Sequence, residues 1–158
     1  MRRREEMSIF PTRILVATDG SEEAKLALTT SADLAKSTDS ELHIAYVFPT
    51  AVQRPFPNPI LARPADEMEH ELEEAMEQAQ SFLDREVEQV KGEGVEVADT
   101  HLVRGRPDRE LVHIGEEIGA GLIVMGSRGL GGVRRALMGS VSDSVVRHAH
   151  CPVLVVRH

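Results

Sequence analysis

The stretch "GLIVMGSRGLGGVRRALMGSVSDSVVRHAHCPVLVV", residues 121 to 156, decides the fold. "GLIVMG" at its start is a short apolar run of the length and content of a buried strand. Ser140 to His148 can form a short helix, and "PVLVV" from Pro152 to Val156 is a second apolar strand. Strand, helix and strand in that order require a parallel pair joined by a right-handed crossover. Between them, Met125 to Val145 carries five glycines in its first fifteen residues. Such a cluster marks either tight turns or a ligand approaching the backbone.

The same alternation extends upstream. "RILVAT", residues 13 to 18, reads as a buried strand closed by the turn chemistry of "DGS". Ala24, Leu28, Ala32 and Ala35 then recur at helical spacing from Ser21 to Ser37, with Ser21 as N-cap and Glu22 and Glu23 in the first turn. "ELHIAYVF", 41 to 48, is the second strand. The segment 49 to 64 holds five prolines and can be neither helix nor central strand. From Asp66 to Lys91, Met68, Leu72, Ala75, Ala79, Phe82, Leu83, Val87 and Val90 step by threes and fours, predicting a long helix with a packed apolar stripe under a solvated acidic face. "VEVADTHLV", 95 to 103, alternates as a half-buried strand, and Pro107 opens the next helix. The order β-α-β-α-β-α-β-α-β calls for an α/β domain: a doubly wound, five-stranded parallel sheet with helices on both faces, Rossmann-like.

Length and composition set bounds. The 158 residues suit one domain, read here as residues 12 to 158 behind a flexible tail of residues 1 to 11. The composition, 41% apolar and 28% charged, is globular, and no apolar run approaches the roughly 18 residues of a membrane span. "MRRREEMSIF" lacks a signal peptide's apolar region, and Cys151 is the sole cysteine, which fits a reducing, cytoplasmic setting. A net charge of −8 argues against broad nucleic-acid binding. That charge is uneven: residues 126 to 158 hold five arginines against Asp143 alone, so an anion is drawn to the C-terminal third.

Folds of this kind bind ligands at the carboxyl ends of strands, where the strand order reverses. Asp19 follows strand one and Gly126 follows strand four, so adjacency of those strands puts both in one crevice. Gly126, Gly129, Gly139 and Ser140 fit G-x2-G-x9-G-S, with Gly-Ser opening a helix. Glycines let main-chain N–H groups reach phosphate oxygens, and the first N–H groups of a helix lack internal partners. The Ser140 and Ser142 hydroxyls can add hydrogen bonds, and Arg128, Arg134 and Arg135 can supply charge. The same residues also suit a flexible surface loop with Ser140 as N-cap, and Asp19 also suits an ordinary turn. Neither a P-loop nor a dinucleotide fingerprint is present. His148, His150 and Cys151 straddle a turn and point apart, and His43, His70, His101 and His113 stand singly in the sequence, so no metal ligand set is assigned.

"ILVATDGSEEA" near the start and the 121 to 156 stretch at the end resemble the universal stress protein family over nearly everything from residue 12 onward. The resemblance implies strand order 3-2-1-4-5, and the glycine spacing is similar to that of the family's ATP-binding branch. It implies that Asp19 contacts ribose or the adenine edge beside Ala17 and Thr18, and that Val47 meets adenine. Met125 and Gly126 approach the ribose, while Gly129, Gly139, Ser140, Val141 and Ser142 hold phosphate. The role of Arg128 stays open, as does a divalent cation (Mg2+ or Mn2+) on the phosphates. The family also implies a homodimer through strand 152 to 156. The expected function is a cytoplasmic, ATP-binding stress-response or signalling regulator that is not an enzyme beyond slow hydrolysis, without nucleic-acid or membrane partners. The alternatives are an ATP-consuming, adenylating enzyme on the same fold and a nucleotide-free interaction module.

Overall fold

The computed structural model describes residues 7–48, 64–129 and 138–158. Five strands alternate with four helices: β1 (Arg13–Ala17), α1 (Glu22–Thr38), β2 (Glu41–Phe48), α2 (Ala65–Gly92), β3 (Val97–Arg104), α3 (Pro107–Ile118), β4 (Leu122–Gly126), α4 (Ser140–His148) and β5 (Val153–Val156). All pairings are parallel and the sheet order is β3-β2-β1-β4-β5, as the sequence led us to expect. The proline-rich 49 to 63, Gly131, Gly132, Arg134, Arg135 and most of the expected tail lie outside the described residues. Phe10, counted with that tail, packs against the core.

Strand alternation divides the core in two. Ile14, Val16, Leu42 and Ile44 face Leu28, Leu83 and Val90 of α1 and α2. Leu15, Ala45, Val47 and Ile123 face Leu111, Ile114 and Val145 of α3 and α4. The period of two along each strand therefore buries both faces of the central strands, which is why β1 and β4 read as continuous apolar runs.

Local chemistry explains the element ends. Ser21 caps α1, its Oγ accepting from Ala24 N at 3.2 Å. Pro107 occupies the first turn of α3, and Gly119 ends that helix in the left-handed region, φ 64°.

Two expectations need correction. The apolar stripe of α2 is packed only in its C-terminal half, where Ala79, Leu83 and Val90 are buried; Met68, Leu72 and Met76 are exposed. A helix of 28 residues is about 42 Å long, against about 26 Å for an eight-residue strand, so about 16 Å of it exceeds the length of the strands beneath. The third strand begins at Val97 rather than Val95, and its alternation is broken by a register shift against β2 between Leu42 and His43. His43 stacks on His101 with ring centroids 5.5 Å apart. Burial pushes the His101 imidazole below its ordinary pKa, against the opposing pull of Asp99.

Candidate functional site

The order reverses between β1 and β4, and the carboxyl ends of those strands open onto a cavity of about 430 Å³. Its size falls within the range of small-molecule sites. Five pieces of chain build its walls. The end of β1 brings Ala17, Thr18, Asp19 and Ser21; the end of β2 brings Ala45, Tyr46 and Val47; Met125 to Gly129 and Gly139 to Ser142 come from β4 and the start of α4. Pro107 and Leu111 of α3 close the apolar side. All twelve residues singled out in the sequence (Ala17, Thr18, Asp19, Val47, Met125, Gly126, Arg128, Gly129, Gly139, Ser140, Val141 and Ser142) line this one cavity.

Several of them also have packing or hydrogen-bonding roles within the chain. Gly126 is required by packing: a Cβ there would sit 2.9 Å from Glu23 Cβ and 3.1 Å from the Glu23 carbonyl carbon. Gly129 approaches the Asp19 carboxylate so closely that a side chain would collide with it. At Gly139 a Cβ would lie 3.0 Å from the Ser127 carbonyl oxygen. Gly139, not Ser140, is the N-cap of α4, and it supplies no side-chain capping bond. Among the described residues no side-chain bond caps the first turn of α4, which lies at the positive end of the helix dipole. Ser142 is buried, and its hydroxyl donates to Ser127 O at 2.7 Å and to Gly139 O at 3.1 Å, so it ties the loop together before it can donate to any ligand.

Asp19 takes the turn role and also lines the cavity. Its Oδ1 accepts from Ser21 N at 2.9 Å, an Asx turn, and the residue still faces the cavity. Thr18 donates from its hydroxyl to Glu86 Oε2 at 3.0 Å, a buried bond to α2.

Glu23 escaped sequence reading. It is only 7% exposed, and its carboxylate accepts from Ser127 Oγ at 2.5 Å, Arg128 N at 2.8 Å and His158 N at 3.4 Å. The Arg128 guanidinium stands 3.5 Å away, which gives Arg128 an ion-pair partner within the protein. Burial acts to raise the Glu23 pKa, but those hydrogen bonds and the Arg128 charge outweigh it and hold the carboxyl below its usual range. In the sequence this residue is only a first-turn acid, and nothing in the spacing points to partners more than a hundred residues away.

Tyr46 was likewise missed. Its ring stands edge-on to Phe82 at 4.9 Å between centroids, and burial, with the Asp19 charge, pushes its phenol up, so it stays protonated. At the outer corner, Ser144 donates to Asp108 Oδ2 at 2.9 Å and Arg106 pairs with the same carboxylate at 3.0 Å, joining α4 to α3. Asp108 is held low: burial opposes this, but the Ser144 and Arg106 bonds prevail. His148 Nδ1 turns to Ser144 O and His150 Nε2 to Ala120 O, in different directions, while burial pushes the Cys151 thiol up.

A doubly wound parallel sheet with a part-apolar cavity at its reversal point, glycines along one wall and a helix N-terminus at its mouth, has the architecture in which α/β domains hold small ligands. Comparison with known proteins narrows that class. The chain belongs to the universal stress protein family, whose model matches residues 11–157. Universal stress protein MJ0531 of Methanocaldococcus jannaschii is 34% identical over 146 residues, covering 92% of this chain and 81% of that protein. Among solved structures, hypothetical protein MJ0577 is 29% identical with a TM-score of 0.76, covering 95% of this chain and 98% of the other. A universal stress protein solved in complex with cAMP is 26% identical with a TM-score of 0.65, covering 93% and 97% respectively. Among the described residues, no helix is long and apolar enough to cross a membrane.

Proposed function

We propose that this chain binds ATP in the β1/β4 crevice as a regulatory ligand of a stress response, with turnover at most slow. The observation that carries the reading is the N-terminus of α4, without a side-chain cap bond among the described residues, opening onto the same cavity as Asp19. A phosphate chain accepts from the first-turn N–H groups of Ser140 and Val141, with the Ser140 hydroxyl beside them. The base fits between Val47, Leu111 and Met125, and Asp19 accepts from ribose hydroxyls. The cAMP complex of a similar protein supports an adenine nucleotide as the ligand class.

A ligand role is favoured over catalysis by the chemistry of the wall. Among the described lining residues Asp19 is the one carboxylate, and histidine, cysteine and lysine are absent, so groups suited to moving protons are scarce. A divalent cation, Mg2+ or Mn2+, would be held chiefly by phosphate oxygens. Residence in the cytoplasm belongs to the same reading.

The test is direct. Purified protein is denatured and the supernatant analysed for adenine nucleotide, and the nucleotide-free chain is titrated with ATP by calorimetry. Saturable binding supports the proposal, and failure of both measurements overturns it.

β5 favours a second element of the reading. It pairs with β4 alone among the described strands and ends the sheet, and Val153 to Val156 are only part-buried. An apolar edge of this kind is protected when it meets a second copy across a two-fold axis. We therefore also propose a homodimer through residues 152 to 156; sedimentation as a monomer at micromolar concentration would contradict it.

A further inference from the structure

The register shift between β2 and β3 has a chemical product. It sets Asp99 opposite His43, and Asp99 and His101, two residues apart on β3, share one face of the sheet. One ligand atom from each of His43, Asp99 and His101 lies within 4.8 Å of the other two. His43 Nδ1 and His101 Nε2 are 3.2 Å apart. His43 is only 7% exposed, and its Nε2 is buried without a hydrogen bond of proper geometry, 3.5 Å from Glu41 Oε2.

We propose that His43, Asp99 and His101 form a binding site for one divalent late first-row transition metal ion, Zn2+ by donor set, at the β2/β3 edge. Two imidazole nitrogens at about 2.0–2.1 Å from a tetrahedral zinc stand about 3.3–3.4 Å apart, and the observed spacing is close to that. Two imidazoles and a carboxylate select such an ion over Mg2+ or Ca2+, which prefer all-oxygen shells. With Nδ1 of His43 on the metal, its Nε2–H faces the Glu41 carboxylate, the outer partner that fixes the tautomer of a metal-bound histidine. Glu41 is in turn held by Arg13 Nε at 3.0 Å. Asp99 is exposed, so the ion enters from solvent, and water completes the shell. The site is separate from the crevice: His43 lies near the start of β2, and the cavity is lined by residues from Ala45 onward.

The experiment uses the full chain, untagged, chelator-stripped and free of nucleotide. It is titrated with Zn2+ by calorimetry and with Co2+ by visible absorption. The expected result is one ion per chain and a tetrahedral Co2+ spectrum. Asp99→Asn and His101→Gln should each weaken binding by about 10- to 100-fold, and Glu41→Gln by about 10-fold. His113→Gln and His148→Gln should leave it unchanged. Circular dichroism confirms that the Asp99→Asn variant is folded, which its exposed position favours. Absence of saturable binding overturns the proposal and leaves the two rings as a hydrogen-bonded pair; so does binding that survives both Asp99→Asn and His101→Gln.

Discussion

Three helices, α1, α3 and α4, begin at the same crevice, and the first turns of α1 and α4 are finished in different ways. At α1 the protein completes its own end: Ser21 caps Ala24 N, Asp19 accepts from Ser21 N, and Glu22 and Glu23 bring negative charge to the first turn. At α4 the N-cap is Gly139, with no side-chain bond. Both first turns carry acid, Asp143 in the case of α4, but only the α1 end is closed by a side-chain cap bond. The contrast separates the α1 and α4 starts: the α1 end is closed by its own side chains, and the α4 end is where the proposed phosphate would sit.

The largest break in this comparison should come from Glu23→Ala. It removes a buried acceptor from three donors and lets Arg128 lose its partner, so a loss of roughly 2–4 kcal/mol in urea unfolding is expected. Next is Gly139→Asp, which makes the α4 end resemble the α1 end. Aspartate is a good N-cap, so α4 should keep its stability once the Ser127 carbonyl yields by a few tenths of an ångström, whereas ATP affinity should fall by at least about tenfold, about 1.4 kcal/mol, by calorimetry. Ser21→Ala should cost about 1 kcal/mol of stability.

The smallest effect is a pH dependence. The native pKa of Glu23 is depressed, so its contribution is present above the unfolded value, about 4.3, and is lost as pH falls through the native value. Glu23→Gln should therefore flatten the stability profile below about pH 4 while leaving a residual slope from Asp108 and Glu41, both also held low. A profile as steep as the wild type would show that the α1 end owes nothing to that carboxylate's charge.

The elements were legible because each rests on local signals. The strand 41 to 48 and the helix 140 to 148 coincide with their observed bounds, the one fixed by apolar content between turns, the other by Gly-Ser before a helical stretch. The cavity wall was legible because a parallel sheet sends its strand ends to one side. Division of labour within that wall was not. Glycine spacing is the same whether a glycine admits a phosphate or a neighbouring helix, and only the three-dimensional contact of Gly126 with Glu23 tells them apart. Glu23 with Ser127, and Thr18 with Glu86, are pairings across 104 and 68 residues. The meeting of His43 with Asp99 and His101 depends on a register shift that alternation cannot reveal. Periodicity likewise states that α2 has an apolar stripe without stating how far the sheet reaches beneath it.

The buried bond from Thr18 to Glu86 makes α2 an unequal lever. Its pivot lies on the packed part of the helix, with six residues, about 9 Å, on the short arm to Gly92 and twenty-one residues, about 32 Å, on the long arm to Ala65. The long arm runs past the last packed residue, Ala79, and carries Met68, Leu72 and Met76, which face solvent.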